Sequence, residues 1–412
     1  MIDNNSIKKK PELLAPAGNL EKLKTAINFG ADAVYLGGNK FNLRSAADNF
    51  TCEELKEGIE FAHSRGKKVH TTLNIIPHDE DLIGIDEYLS ELYNIGVDAV
   101  LIADPGVISI AREVVPNLEI HLSTQANLLN YKSALFWHKI GVKRVVAARE
   151  MSLKDLKKLK KELPCTCDVE AFVHGSMCMA YSGKCYLSNY LTGRDANRGQ
   201  CAQPCRYKYN LYEEKQLGED IEVREKSKSI YIMNSKDLCM IQHIPELIGA
   251  GINSFKIEGR MKSTFYVASV VKAYRQAIDS YFENKDKYVF DEKWMECLNK
   301  PSHRPYTTGF YFNEDKRQHY ASSSYIRNYD IVGVVRKYNN ETQLAIIEQR
   351  NKVYNGDIVE ILAPKGENKI VKIEDMKNKN GEVIESAPSA KMIFTIKCNE
   401  KLKENDIIIK AK

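Results

Sequence analysis

From Pro11 to about Lys285, short apolar runs alternate with stretches of helical period, and the two periodicities predict the architecture. The runs are "ELLAPAG", "ADAVYLGG", "KKVHTTLN", "DAVLIAD", "EIHLSTQAN", "RVVAARE", "DVEAFVHG" and "NSFKIEGR". The spacers carry helix caps: "NLEKLKTAINFG" opens on Asn19 and closes on Gly30, and "SLKDLKKLKKEL" opens on Ser152. Eight strand and helix pairs across residues 11–285 predict an α/β fold of the (β/α)8 TIM-like barrel kind, because an open doubly wound sheet usually has about five or six strands. Residues 1–10 form a tail, and residues 286–329 are polar, irregular and read as a connecting segment. Beyond them "IVGVVRKYN", "TQLAIIEQ", "DIVEILAP", "NKIVKIEDM", "MIFTIKC" and "DIIIKAK" are separated by turn signals. They predict a small C-terminal all-β barrel or sandwich over residues 330–412.

Barrel strands alternate between residues that face the helices and residues that face the lumen. In "IHLSTQ" the set Ile120, Leu122 and Thr124 is fairly apolar, whereas His121, Ser123 and Gln125 are polar. The same split puts His70, Thr72 and Asn74 on one face, Glu170, Phe172 and His174 on another, and Lys256 with Glu258 on a third. Any one of these could be a satisfied interior group. Four strands together predict a polar pocket, which in such barrels opens at the carboxyl ends of the strands.

With 412 residues, 43% hydrophobic and 28% charged, the chain is long enough for a large core and for two domains. No signal peptide or membrane span is expected, so a cytoplasmic protein is expected. In that reducing setting ten cysteines point to metal or thiol chemistry rather than to disulfides. The net charge of +5 is a mild basic bias, compatible with a nucleic-acid partner.

Four of the cysteines, Cys178, Cys185, Cys201 and Cys205, fall in residues 175–210, after the seventh strand and so at the catalytic face. Gly175, Gly183, Gly193 and Gly199 would let the backbone wrap a compact object. The spacing lacks the paired knuckles of zinc ribbons and suits a 4Fe–4S cluster, with structural zinc as the rival. Cys239 competes with Cys205 as fourth ligand, while Cys52, Cys297 and Cys398 read as buried structural thiols.

The segments "LLAPAGNLEKLKTAINFGADAVYLGG", "EAFVHGSMCMAYSGKCYLSNYLTGRDANRGQCAQPCRY", "NSKDL", "KIEGRMKS" and "YTTGFY" together resemble peptidase family U-32, the collagenase-like proteins. The resemblance implies a barrel with a cysteine-bound 4Fe–4S cluster and oxygen-independent hydroxylation of RNA bases or of a quinone ring. The single cysteine loop and the appended β-domain are most similar to the tRNA hydroxylase branch. That similarity implies formation of 5-hydroxyuridine at the tRNA wobble position, with prephenate as cosubstrate and room for a partner protein or a homologous subunit. A collagenase-like peptidase is the alternative, and a noncatalytic RNA-binding or maturation-scaffold protein the next. No G-x-S-x-G elbow or H-E-x-x-H helix supports serine or zinc peptidase chemistry. A Cys178–His174 dyad would explain only one of the four thiols.

Within that reading Arg149, Lys256 and Arg260, at strand ends, are candidates to clamp a dicarboxylate or a phosphate. Glu150, Glu170, His174 and Glu258 are candidates for proton transfer, base orientation or pairing with those cations. Arg260 follows Glu258 by two residues and is its expected ion-pair partner if the pair is structural. Asn74 and Gln125 would read the edge of an extruded base, and Arg194, Arg198 and Arg206 would hold phosphates.

Overall fold

A computed structural model describes residues 9–38, 41–43, 49–209, 213–214, 220–221, 233–312 and 317–412. The tail expected at residues 1–10 lies almost wholly outside them. Seven of the eight apolar runs become β1 (Glu12–Pro16), β2 (Ala33–Leu36), β3 (Lys68–Leu73), β4 (Ala99–Ile102), β5 (Glu119–Leu122), β6 (Arg144–Val146) and β7 (Asp168–Ser176). The first six are each followed by a helix: α1 (Leu20–Asn28), α2 (Cys52–His63), α3 (Ile85–Asn94), α4 (Pro105–Val114), α5 (Tyr131–Lys139) and α6 (Leu153–Glu162). The caps read from sequence are in place. Asn19 accepts a hydrogen bond from the Lys22 N–H, and Ser152 forms a capping box with Asp155.

After β7 the chain makes the cysteine loop, which contains α7 (Leu187–Thr192), and then a short antiparallel pair, β8 (Glu213–Glu214) with β9 (Asp220–Ile221). It returns through β10 (Asp237–Cys239) and α8 (Ile244–Gly249) to β11 (Ser254–Ile257), the eighth barrel strand. Parallel pairing runs β11-β1-β2-β3-β4-β5-β6-β7, and β7 pairs again with β11, so the barrel is closed. Residues on the outer faces of the strands, among them Leu13, Val34, Val69, Val100, Ile120 and Phe255, pack into one apolar layer under the helices.

One irregularity changes what faces the lumen. On β11 Lys256 and Ile257 are consecutive, yet on β7 their partners are Phe172 and His174. Val173 is therefore an extra residue, a β-bulge, and beyond it the alternation on β7 is reversed. His174 falls beside Ile257, on the helix side, and does not share the lumen face of Glu170 and Phe172. Past the bulge the upper end of β7 takes β10 as an antiparallel neighbour, and β12 (Tyr306–Thr307) lies parallel to β10.

The segment expected only to connect holds α10 (Glu292–Asn299) as well as β12, and α10 packs on α9 (Thr264–Glu283). The C-terminal region is one antiparallel sheet. It is made of β13 (Tyr329–Asn339), β14 (Leu344–Gln349), β16 (Ile358–Leu362), β17 (Lys369–Lys372), β18 (Glu374–Asn378), β20 (Ile393–Lys397) and β21 (Ile407–Ala411), with β15 (Val353–Tyr354) and β19 (Ser386–Ala387) as a separate pair. The run "NKIVKIEDM" is two strands, because β17 pairs with β16 and β18 with β20. All seven strands contribute to one core that includes Val335, Ile347, Ile361, Val371, Met376, Phe394 and Ile408.

This unit is fastened to the barrel. Leu362, Ile407 and Ile409 join the barrel's apolar core, Arg350 Nη2 lies 2.6 Å from Glu21 Oε2, and Lys272 Nζ donates to Asn368 Oδ1 at 2.6 Å. No helix among the described residues is long and apolar enough to cross a membrane.

Candidate functional site

A cavity of about 880 Å³ opens at the carboxyl ends of the barrel strands. Its lining combines lumen residues Tyr35, Thr72, Phe172 and Lys256, the expected base readers Asn74 and Gln125, and the four cysteines Cys178, Cys185, Cys201 and Cys205. Arg149, Glu258, Arg260, Arg194 and Arg206 also reach it. Among the described residues, lysines and arginines far outnumber the carboxylates on its wall, Glu258 and Asp330.

The floor is a buried ion network. Glu170, fully buried, accepts from Lys256 Nζ at 2.7 Å and from Arg144 Nη1 at 3.3 Å, and Arg144 also pairs with Glu12. The desolvation of Glu170 alone would raise its pKa, but Lys256 and Arg144 outweigh it and hold the carboxyl below its usual value. Glu170 is thus a lumen ion-pair residue one layer below the cavity, and Lys256 is its partner at the floor, with its ammonium 4.4 Å from the centre of the Tyr35 ring.

Arg149 and Glu258 form the ion pair at the mouth, Nη2 to Oε2 at 2.9 Å, and the guanidinium lies 4.1 Å from the centre of the Phe172 ring. Arg260 is not the partner expected for Glu258. Past β11 the strand alternation no longer governs direction, and Arg260 reaches across to Thr72 Oγ1 at 3.2 Å, Asn42 Oδ1 at 3.3 Å and Asn49 Oδ1 at 3.0 Å. Asn74 donates to Ser123 Oγ at 3.5 Å. Gln125 is buried, and its Oε1 has no hydrogen-bond partner among the described residues.

His174 is absent from the cavity wall. It is buried among the rings of Tyr266, Tyr274 and Tyr306, at 5.9, 5.5 and 5.5 Å, and burial pulls its pKa down to about 3, with Lys262 and His303 adding to the shift. Glu150 serves the cysteine loop from below: Ser182 donates to it through its backbone N–H at 2.6 Å and its hydroxyl at 2.7 Å. Arg206 pins the far end of the loop, donating to Asn234 Oδ1 at 2.7 Å and to the Met177 carbonyl at 2.9 Å. Arg198 pairs with Asp81 at 2.6 Å, off the cavity, and Arg194 is exposed at its rim with Nε on the Gln200 carbonyl.

Asn197, not singled out from sequence, brackets Cys185: it accepts from the Cys185 N–H at 3.2 Å and donates to the Cys185 carbonyl at 3.1 Å. Its position inside "GRDANRGQ", between two of the cysteines, was the available signal. All four glycines of the loop have positive φ. Gly175 needs it most, since a Cβ there would stand 2.3 Å from the Glu258 carbonyl oxygen.

The four thiols line the same cavity. Burial pushes the Cys205 thiol up to about 11 and raises Cys178 as well, with Cys201 and Cys185 adding to both. Cys239 lies elsewhere, buried beside Tyr274, where burial pushes it up to about 12. Among the described residues no three His, Cys, Asp or Glu side chains draw close enough to hold a single ion. Four cysteine thiols lining one cavity are a donor set of the kind that a 4Fe–4S cluster takes.

A model of peptidase family U32 matches residues 18–321 of this chain, and a model of the family's C-terminal domain matches residues 327–408. The tRNA hydroxylation protein P1 of Bacillus subtilis is 42% identical over 98% of this chain and 96% of its own length. A 23S rRNA 5-hydroxycytidine synthase of Escherichia coli is 38% identical over 66% of this chain and 40% of its own. A protein named collagenase from Porphyromonas gingivalis is 31% identical over 96% of both chains.

Proposed function

The chain belongs to peptidase family U32, and from that premise we propose that it hydroxylates a tRNA wobble uridine to 5-hydroxyuridine, without dioxygen, with a 4Fe–4S cluster and with prephenate as cosubstrate. The observation that carries the reading is that four cysteines of one loop open onto the same cavity as Asn74, Gln125 and the Arg149–Glu258 pair. Relatives named for tRNA hydroxylation and for 5-hydroxycytidine synthesis support an RNA base as the substrate class.

Replacing the C5–H of uridine by C5–OH adds an oxygen and removes two electrons, so the hydroxylated cosubstrate would have to give up that oxygen and take the electrons; Cys178, Cys185, Cys201 and Cys205 would hold the 4Fe–4S cluster that would relay the electrons singly, a capacity side chains lack. The chain does the rest. Gln125, whose buried Oε1 has no hydrogen-bond partner among the described residues, and Asn74 hydrogen-bond the edge of the extruded base, which lies against Phe172 and Tyr35. Arg149, oriented by Glu258 and by the Phe172 ring, faces a carboxylate of the cosubstrate above the floor made by the Lys256–Glu170 pair. Glu258 is the carboxylate placed to move a proton at the cavity, and Arg194 meets the RNA at the rim.

A peptidase would need a base beside a nucleophilic thiol, and His174 is turned into a nest of tyrosines instead. The test is a strain lacking the gene and its 5-hydroxyuridine, complemented with this chain and grown with and without oxygen. Restored 5-hydroxyuridine in both cultures is expected. A tRNA digest without it, from cells that contain the folded protein, contradicts the reading.

A further inference from the structure

One part of the cavity wall is built by residues that the reading above leaves unused. Lys262 follows β11, while Arg304, Tyr325 and Arg327 belong to the stretch between α10 and β13, and all four line the cavity. Lys262 Nζ lies 4.2 Å from the centre of the Tyr325 ring, Arg304 Cζ 4.0 Å and Arg327 Cζ 5.9 Å. Three cations therefore gather around a single ring.

Very little negative charge answers them. Among the described residues only Asp237 ion-pairs with any of the three, 3.7 Å from Arg304, and its other oxygen already accepts the Arg304 backbone N–H at 3.0 Å. Lys262 donates to the Ser302 carbonyl at 3.1 Å. Arg304 is 4% exposed, and its Nε has no hydrogen-bond partner among the described residues. Burial pulls Lys262 down to about 8, and repulsion from Arg304, Arg327 and Arg206 works in the same direction against the attraction of Asp237. A ring quadrupole offers each cation only a weak attraction, so the arrangement favours an added anion.

We propose that Lys262, Arg304 and Arg327, gathered on Tyr325, form a subsite for a backbone phosphodiester of the RNA, next to the nucleotide whose base enters the lumen. The inference rests on the tRNA reading and adds the point at which the strand is held. Three features choose a polymer phosphate over a small dianion. The subsite shares one cavity with the lumen mouth, and a volume of about 880 Å³ leaves room beyond one base for the backbone that carries it. Arg327 is exposed, so a chain can enter and leave past it. Two guanidinium forks and an ammonium match the oxygens of a phosphate, the kind of contact that fixes register without reading sequence.

The test measures tRNA affinity of the full-length, cluster-loaded protein at several salt concentrations, for wild type, Arg327→Gln and Lys262→Met, with prephenate binding measured alongside in the absence of RNA. Each variant is expected to bind tRNA roughly tenfold more weakly at low salt and to show a log–log salt slope shallower by about 0.7–0.9, with prephenate binding unchanged. Lys262→Met, judged on the same slope, covers the case in which Arg327→Gln melts early. Wild-type slope and affinity in both variants overturn the subsite while leaving the tRNA reading intact. Lost prephenate binding at an unchanged tRNA slope assigns the cluster to the cosubstrate and also overturns it. A wild-type protein without salt-dependent tRNA affinity overturns subsite and function together.

Discussion

The lumen of this barrel holds two polar regions, one above the other. In the lower one, Arg144 pairs with Glu12 and Glu170, and Lys256 pairs with Glu170, so that every charge is answered inside the barrel. In the upper one, Asn74, Gln125, Arg149 and Glu258 border a cavity, and Gln125 Oε1 has no hydrogen-bond partner among the described residues. Both come from strands whose inward positions are polar. A polar inward face does not identify a site; its distance from the carboxyl end of the strand does, because only there does the lumen stop being filled by its own side chains.

The comparison breaks most visibly at Glu170. Glu170→Gln leaves Lys256 and one side of Arg144 buried without their carboxylate, an expected loss of about 3–5 kcal/mol that should lower the melting temperature and the activity together. A variant that melts like the wild type but is inactive would move Glu170 into the site. Acid should act on the buried histidines next. Burial first, then His121, hold His70 at about 3, and His174 is also at about 3. In the unfolded chain both titrate near 6.5, so between the two values the unfolded state binds more protons and stability falls as pH falls. The expected loss from pH 6.5 to 5 is about 2 kcal/mol for each of the two, read as a falling melting temperature. Glu12, held far below its usual value with Arg144 as the chief favourable cause, contributes nothing to that window. Its share of stability is lost only below about 4.3.

The upper region should respond in activity alone. Asn74→Ala and Gln125→Leu are each expected to lower 5-hydroxyuridine formation about tenfold with little change in melting. A matching fall in stability would return both residues to the lower class. The smallest effect is expected at the junction with the C-terminal sheet. Glu21 pairs with Arg350 and Arg336 and is half-exposed, so Glu21→Gln should cost no more than about 1 kcal/mol in a thermal melt, with tRNA modification unaffected.

Much of this was legible along the chain. The eight barrel strands, the caps at Asn19 and Ser152 and the cysteine loop follow from local periodicity and local chemistry, which short segments carry by themselves. What was not legible depends on register or on contacts distant in sequence. An extra residue at Val173 turns His174 out of the lumen, and strict alternation has no term for a bulge. Arg260 stands two residues from Glu258, yet it bonds to Thr72 on the far side of the mouth. Arg304, Tyr325 and Arg327 sit in a segment whose composition looks like a linker, and only the return of the chain past β10 and β12 brings them to the cavity.

The central claim, that the cavity wall bearing Cys178, Cys185, Cys201 and Cys205 holds an iron–sulfur centre, is tested most directly by metal and sulfide analysis of protein purified without oxygen. Brown protein with about four iron and four sulfide per chain is expected, lost in Cys178→Ala and in Cys205→Ala but kept in Cys239→Ala. Colourless protein carrying stoichiometric zinc, or iron retained by Cys205→Ala and lost from Cys239→Ala, would contradict it.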